Sequence, residues 1–207
     1  MSGGPADMRA ALLAGEVVLV PTDTVYGLAA ALDVPVGVTA LYALKGRPRA
    51  QPVQVLLFHA SLLADALGAL DPPTRAAVAA LLPGPATCLV PDPAGRYAAA
   101  AGGAPGAVGL RAPRMDGPIA GLDLPLVATS ANHPGGPDPA SLADVPQDLC
   151  RGVRALDAGT LPGTASAVVD LRAVAAGGDA VLVRPGPDPE TVRRALGAVG
   201  VRVIRPG

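Results

Sequence analysis

Proline and glycine interrupt this chain so often, 24 and 26 times in 207 residues, that no regular element can run far before a breaker stops it. Its strands must be short and its turns frequent. The residues left between the breaks narrow the choice further. There is no Trp, one Phe and three Tyr, so a core has to be assembled from Ala, Val and Leu. Half of the residues are hydrophobic and 16% are charged, which excludes a disordered chain and supplies the apolar surface such a core needs. The scarcity of aromatics also removes the stacking platforms on which single-stranded nucleic acid is bound.

Read along the chain, Glu16 to Val20 is a short apolar run ending at Pro21, the pattern of a buried strand that exits into a loop, Pro21 to Gly27. Val34 to Lys45 has helical spacing and is stopped by Gly46 and Pro48, which puts Lys45 at or just past a helix C-terminus. Val53 to Phe58 reads as a second strand, and Ser61 to Leu70 and Thr74 to Leu82 as helices parted by Asp71-Pro72-Pro73. Further short strand candidates are 86–90, 108–112, 126–129, 153–156, 167–171, 181–184 and 201–204, and a last helix is expected over Pro189 to Val199. Helices fall between only some of these strands, which predicts one α/β domain over residues 1–207, its core about 8–200. Its sheet is expected to be an open, twisted, mixed parallel and antiparallel one with flanking helices.

Sixteen basic residues stand against seventeen acidic ones, a net charge of −1, so no overall field draws the chain onto nucleic acid or anionic membrane. Weak RNA contact through a local basic cleft stays open. Cys88 and Cys150 are far apart with no CxxC or Cys/His cluster, which argues against a disulfide scaffold or a zinc site and suits a reducing cytoplasm. Glu16 breaks the apolar stretch after Arg9, and no run approaches the roughly 18 apolar residues of a membrane span. A soluble, cytoplasmic protein is expected, as a monomer or homodimer.

Fifteen of the sixteen cations are Arg, which leaves Lys45 as the only lysine; Asn132 is the only asparagine. Neither GxxxxGK[ST], GxGxxG after a strand nor GxSxG can be placed, so P-loop, dinucleotide and serine-hydrolase chemistry fall away. What remains is a series of polar clusters, each directly after a strand candidate: Thr22-Asp23-Thr24, Lys45-Gly46-Arg47, Arg111, Thr129-Ser130-Ala131-Asn132, Ser166 and Arg184. Strand ends of this kind line the ligand crevice of open α/β sheets. Lys45, Arg47, Arg111 and Arg184 suit a triphosphate, and Thr22, Ser130, Asn132 and Ser166 suit a small polar substrate. The same residues also suit plainer roles: turn formers at 22–24, helix caps at Ser130 and Asn132, and surface charges at Arg111 and Arg184. His59, His133, Cys88 and Cys150 are assigned mainly to structure.

Pro21-Thr22-Asp23-Thr24-Val25-Tyr26-Gly27-Leu28, followed by Lys45-Gly46-Arg47-Pro48 and Pro52, resembles the YrdC-type threonylcarbamoyl-AMP synthase family. Pro83 to Thr87, Gly109 to Pro113, Thr129 to Asn132, Ser166 to Asp170 and Arg184 to Gly186 resemble its later motifs in the same order. The resemblance implies a positively charged central cavity. It implies an ATP-dependent nucleotidyltransferase that joins L-threonine, bicarbonate and ATP into threonylcarbamoyl-AMP, releasing pyrophosphate. Downstream proteins then place the threonylcarbamoyl group on tRNA. Carried over by motif, Thr22, Pro52, Arg111, Ser130 and Ser166 would hold threonine; Lys45, Arg47, Asn132, Ser141 and Arg184 would hold ATP, with Lys45 and Arg47 also catalytic. Mg²⁺ would accompany the triphosphate, with no dedicated metal ligands.

The chain departs from that pattern at Arg114-Met115-Asp116, where the family usually has a histidine, at Ala167, where it has a hydroxyl, and at 133–141, where it has more serines. Two alternatives are carried beside the synthase: a non-catalytic RNA-binding or ribosome-maturation protein on the same fold, and a carbamoyl-adenylate-forming relative that uses carbamoyl phosphate. Salt-sensitive RNA affinity without ATP turnover would mark the first, and a nucleotide site without a threonine pocket the second.

Overall fold

The computed structural model describes residues 5–206; the ends of the domain expected over 1–207 lie outside them. The described helices are α1 (Pro5–Leu13), α2 (Pro35–Leu44), α3 (Ala60–Gly68), α4 (Pro72–Leu81), α5 (Ala98–Ala101), α6 (Gln147–Cys150) and α7 (Pro189–Ala198). The strands are β1 (Val18–Val20), β2 (Gly27–Ala31), β3 (Gln54–Leu56), β4 (Ala86–Pro91), β5 (Ala107–Arg111), β6 (Leu126–Ser130), β7 (Arg154–Ala155), β8 (Ala167–Asp170), β9 (Ala180–Arg184) and β10 (Val203–Ile204). No helix among the described residues is long and apolar enough to cross a membrane.

The strands form one sheet in the order β10-β9-β8-β4-β5-β3-β6-β2-β1-β7. It is mixed, as expected: β3 with β5, β4 with β8, β1 with β7 and β9 with β10 run parallel, and the other neighbours run antiparallel. Local chemistry sets the longer helices. Asp71 and Asp188 cap α4 and α7 by accepting the Thr74 and Thr191 N–H groups at 2.9 and 3.0 Å, and a proline opens each helix. His59 caps α3 with a 3.2 Å bond from the Ser61 N–H, a structural use of that imidazole.

Side chains alternate across each strand, and here the two faces have different fates. Leu28, Ala30, Val55, Cys88, Leu110, Val127 and Val169 point into a large core with residues of α2, α3, α4 and α7. On the opposite face, Val18, Val20, Ala29, Ala31, Leu56, Leu126 and Ala128 form a smaller cluster with Met8, Ala11 and Leu12 of α1 and with Ile119 and Leu122. The rest of that face stays open and becomes the cavity described below. As composition demands, the buried interior is Ala, Val and Leu around Tyr26, Tyr42, Tyr97 and Phe58.

Besides the short helices α5 and α6, two elements were not expected from sequence. β2 reads Gly-Leu-Ala-Ala-Ala, a poor strand former, and forms because it is wholly buried and paired on both edges, with β1 and β6. α1 occupies part of the apolar N-terminal stretch, packed on β1 and β2.

Close backbone approaches fix two loops. Gly102, at φ +57°, lies where a Cβ would be 2.6 Å from the Pro52 nitrogen, and Gly103 donates to the Ala50 carbonyl, so the 48–52 segment is seated against α5. Gly186, at φ +67°, crosses the start of β8, where a Cβ would be 2.3 Å from the Ala167 nitrogen. We expect Gly186→Ala to lose at least about 2 kcal/mol and to lower the melting temperature by about 4 °C or more. A thermal melt indistinguishable from wild type would contradict this close approach.

Candidate functional site

The open face carries two connected lobes. The inner lobe, about 290 Å³, lies over the centre of the sheet and is lined by Thr22, Pro52, Gln54, Thr87, Arg111, Ser130 and Ser166 among others. The outer lobe, about 310 Å³, is lined by Lys45, Gln51, Asn132, His133 and Asp138. Arg47, Thr129, Ser130 and Arg184 belong to both.

Arg111 ends β5 pointing into the inner lobe and is only 2% exposed. One terminal nitrogen donates to Thr22 Oγ1 at 3.0 Å, to Asp23 Oδ1 at 2.8 Å and to Thr24 Oγ1 at 2.5 Å. Its Nε is buried and has no partner among the described residues. Burial pulls the guanidinium pKa below its ordinary value, Asp23 works the other way, and Arg184 adds repulsion. Thr22 is also a turn former: its hydroxyl donates to the Val25 carbonyl at 2.7 Å and accepts the Thr24 and Val25 N–H groups. The turn-forming reading of this cluster is therefore met, and the turn is what presents the acceptors to Arg111. Asp23 also accepts the backbone N–H of Arg114 at 3.0 Å, a brace that does not depend on which side chain follows Pro113.

Along the floor a chain of hydrogen bonds crosses four strands or strand ends. Thr87 donates to Gln54 Oε1 at 2.9 Å; having spent its proton, it must accept from Ser166 at 3.1 Å. Arg184 donates to Ser166 Oγ at 3.3 Å and, through Nε, to the Ser166 carbonyl at 2.8 Å. Arg184 reaches this face through an irregularity. Val169 pairs with Leu182 but Val168 pairs with Arg184, so Val183 is an extra, bulged residue. Without it, the alternation that buries Ala180 and Leu182 would turn Arg184 toward the helices.

In the outer lobe Lys45, at the C-cap of α2 and 8% exposed, donates to the Ser130 carbonyl at 2.8 Å and to the Asn132 carbonyl. Burial, then repulsion from Arg47, lowers its pKa to about 8. Ser130 donates to Asn132 Oδ1 at 2.7 Å, and the Asn132 amide donates to the Gly136 carbonyl at 3.0 Å. Both residues thus brace the 133–136 turn, and neither caps a helix. Arg47 donates to the Pro52 carbonyl at 2.7 Å, while its Nε is buried without a partner among the described residues. Ser141 stands apart. It lines neither lobe, and its hydroxyl bonds Asp144 at 2.8 Å in the capping box of the turn at 142–144.

Sequence reasoning did not single out Gln54, Thr87 or Asp138 as site residues, although Thr87 and Asp138 sit inside stretches it quoted. His133 lines the outer lobe and also bonds Asp148 at its exposed edge, Cys150 bonds the Gln147 carbonyl, and burial pushes the Cys88 thiol up to about 12. No group of three His, Cys, Asp or Glu able to hold a metal exists among the described residues. Chemically, the inner lobe offers a guanidinium and several hydroxyls, which suits a small carboxylate-bearing molecule. The outer lobe offers cations, which suits phosphates.

The Lys45 shift has a checkable sign. Unfolded, Lys45 keeps its proton up to its ordinary value of 10.5, whereas folded it releases the proton near 8. Between these values the unfolded chain binds more protons, so stability rises with pH across that window. Denaturant titrations at several pH values are expected to show this rise in wild type relative to Lys45→Met; parallel curves would contradict it.

The profile of the Sua5/YciO/YrdC family, described as telomere recombination, matches residues 10–186. The threonylcarbamoyl-AMP synthase of Chromohalobacter salexigens is 36% identical over 174 residues, covering 81% of this chain and 92% of that protein. The threonylcarbamoyl-AMP synthase of Pyrococcus abyssi is 33% identical over 197 residues, and the chain spans 55% of its length. Among solved structures, P. abyssi Sua5 complexed with L-threonine superposes with a TM-score of 0.75 at 30% identity, over 97% of this chain and 59% of that one. E. coli YciO, at 18% identity and a TM-score of 0.70, shares the fold, over 91% of this chain and 92% of its own. Because the matched stretch contains β1 through β9 and every residue lining the two lobes, the chain belongs to the Sua5/YciO/YrdC family.

Proposed function

We propose that the chain is a threonylcarbamoyl-AMP synthase that uses L-threonine, bicarbonate and ATP and releases pyrophosphate. The observation that carries this reading is spatial. The residues that family motifs mark for threonine, Thr22, Pro52, Arg111, Ser130 and Ser166, line the inner lobe; Lys45 and Asn132, marked for ATP, line the outer one; and Arg47 and Arg184 stand at the junction. Two substrates held in this way meet where the lobes join.

In this reading the Arg111 guanidinium holds the threonine carboxylate, and Ser130 and Ser166 orient the amino acid. The threonine amine combines with bicarbonate, losing water, to give a carbamate. A carbamate oxygen then attacks the α-phosphorus in line while the bond to pyrophosphate breaks. Lys45, Arg47 and Arg184 offset the charge that builds on the departing pyrophosphate. Asn132 positions the nucleotide; Ser141 reaches it only if the 133–141 segment moves. Mg²⁺ arrives with the triphosphate, consistent with a lining that holds a single carboxylate. The product passes to proteins that modify tRNA, and the chain works in the cytoplasm.

Purified protein with Mg²⁺ and bicarbonate is expected to release pyrophosphate from ATP only when L-threonine is present, with serine and glycine far poorer; release that ignores threonine would overturn the assignment. Lys45→Ala should lower turnover on the order of a hundredfold or more, and near-normal turnover would remove Lys45 from this role. Because free Lys45 loses its proton near 8, kcat/KM for ATP is expected to fall as pH rises through about 8. Bound triphosphate holds the proton on, so kcat is expected to persist to higher pH. A kcat/KM profile that is flat through that region would exclude the ammonium as a phosphate ligand.

A further inference from the structure

Asp138 is the sole acid among the residues lining the two lobes. It shares the outer lobe with Lys45, Arg47 and Arg184, where a carboxylate works against binding a polyanion. It is nevertheless a placed group. Pro137 and Pro139 flank it, and the Pro139 carbonyl accepts the Tyr26 N–H at 3.0 Å. Its Oδ2 accepts the Ala165 N–H at 3.0 Å, which ties the 133–141 segment to the strand end that carries Ser166. The other oxygen takes no hydrogen bond among the described residues, and the Asp138 charge is felt by Arg184, which it holds in the protonated form against the effect of burial. The nearby cations are already committed to carbonyl or hydroxyl oxygens: Lys45 to Ser130 and Asn132, Arg47 to Pro52, Arg184 to Ser166.

Arg184 offsets part of this charge, but a fixed carboxylate with one free oxygen still works against a bare triphosphate and favours one that carries a divalent cation. We infer that Asp138 makes nucleotide binding conditional on the divalent cation: its free oxygen takes up the cation carried by the triphosphate, directly or through a water, and it repels the metal-free nucleotide. This inference rests on the ATP reading above. It assigns to Asp138 a choice between two forms of the same ligand, metal-bound and metal-free, in place of a part in the bond-making step.

The test is equilibrium binding of ATP by calorimetry without threonine, so that nothing turns over, in Mg²⁺ and in EDTA, for wild type, Asp138→Asn and Asp138→Glu. The amide oxygen of Asn can still accept the Ala165 N–H, so Asp138→Asn is expected to fold, and a thermal melt checks this. Wild type and Asp138→Glu should bind ATP more tightly with Mg²⁺, by on the order of tenfold. In Asp138→Asn the ratio should fall toward one, chiefly because metal-free ATP binds better. If Asp138→Asn keeps the wild-type ratio, or shifts both affinities by one common factor, Asp138 is only a brace and the inference is overturned while the ATP reading stands. If wild type binds ATP in neither condition, the ATP reading fails and takes the inference with it.

Discussion

A guanidinium buried in the middle of a sheet is costly unless its charge is met, and breaking such a pair leaves an uncompensated charge worth about 3–5 kcal/mol. Arg111 places that demand at the end of β5, and the segment from Pro21 to Tyr26 folds so as to satisfy it with Thr22, Asp23 and Thr24. Much else hangs on the resulting turn. The Thr24 carbonyl accepts the Gly163 N–H, the Tyr26 N–H donates to Pro139, and the Tyr26 carbonyl accepts from Ala131. The buried Tyr26 hydroxyl donates to the Gly159 carbonyl at 2.9 Å and accepts the Ala158 N–H at the same distance. Both irregular walls of the cavity, 131–141 and 156–166, are therefore suspended from the loop that Arg111 organises.

The sheet divides its labour by face. One face gains stability by covering its alternate residues with helices, and the other is left uncovered except where α1 and the 119–122 segment pack. Leaving Gln54, Thr87, Arg111, Ser130 and Ser166 on an open face forgoes apolar burial there, and the buried Nε atoms of Arg47 and Arg111 go without hydrogen-bond partners among the described residues. Proteins give up stability of this kind where a ligand is to complete the set.

How much of this was legible in the sequence follows from which signals are local. Pro21, Pro48 and Pro185 mark the points where strands or helices stop, so the polar groups beside them, Thr22, Arg47 and Arg184, could be read as rim residues. Lys45 and Asn132 stood out because each is unique in composition. β2 was invisible because its Ala-rich sequence carries no strand signal, and only pairing on both edges makes it one. Gln54 was missed for a related reason: a lone glutamine inside an apolar run looks like an exposed position, and only the order of the sheet places β3 at its centre. Ser141, drawn in by motif, sits at a local cap, because its competition with Asp144 is decided three residues away and not across the fold.

The bulge at Val183 separates two kinds of information within a single strand. Ala180 and Leu182 answer to the helices behind the sheet, while Arg184, one strand step further, answers to the cavity in front. An unbroken strand would tie these together, since one residue gained or lost would rotate both sets at once. With the phase reset at the bulge, the edge of the sheet toward β10 and α7 can drift in packing and length without turning the cation away, so the structural margin and the charged rim are free to change independently.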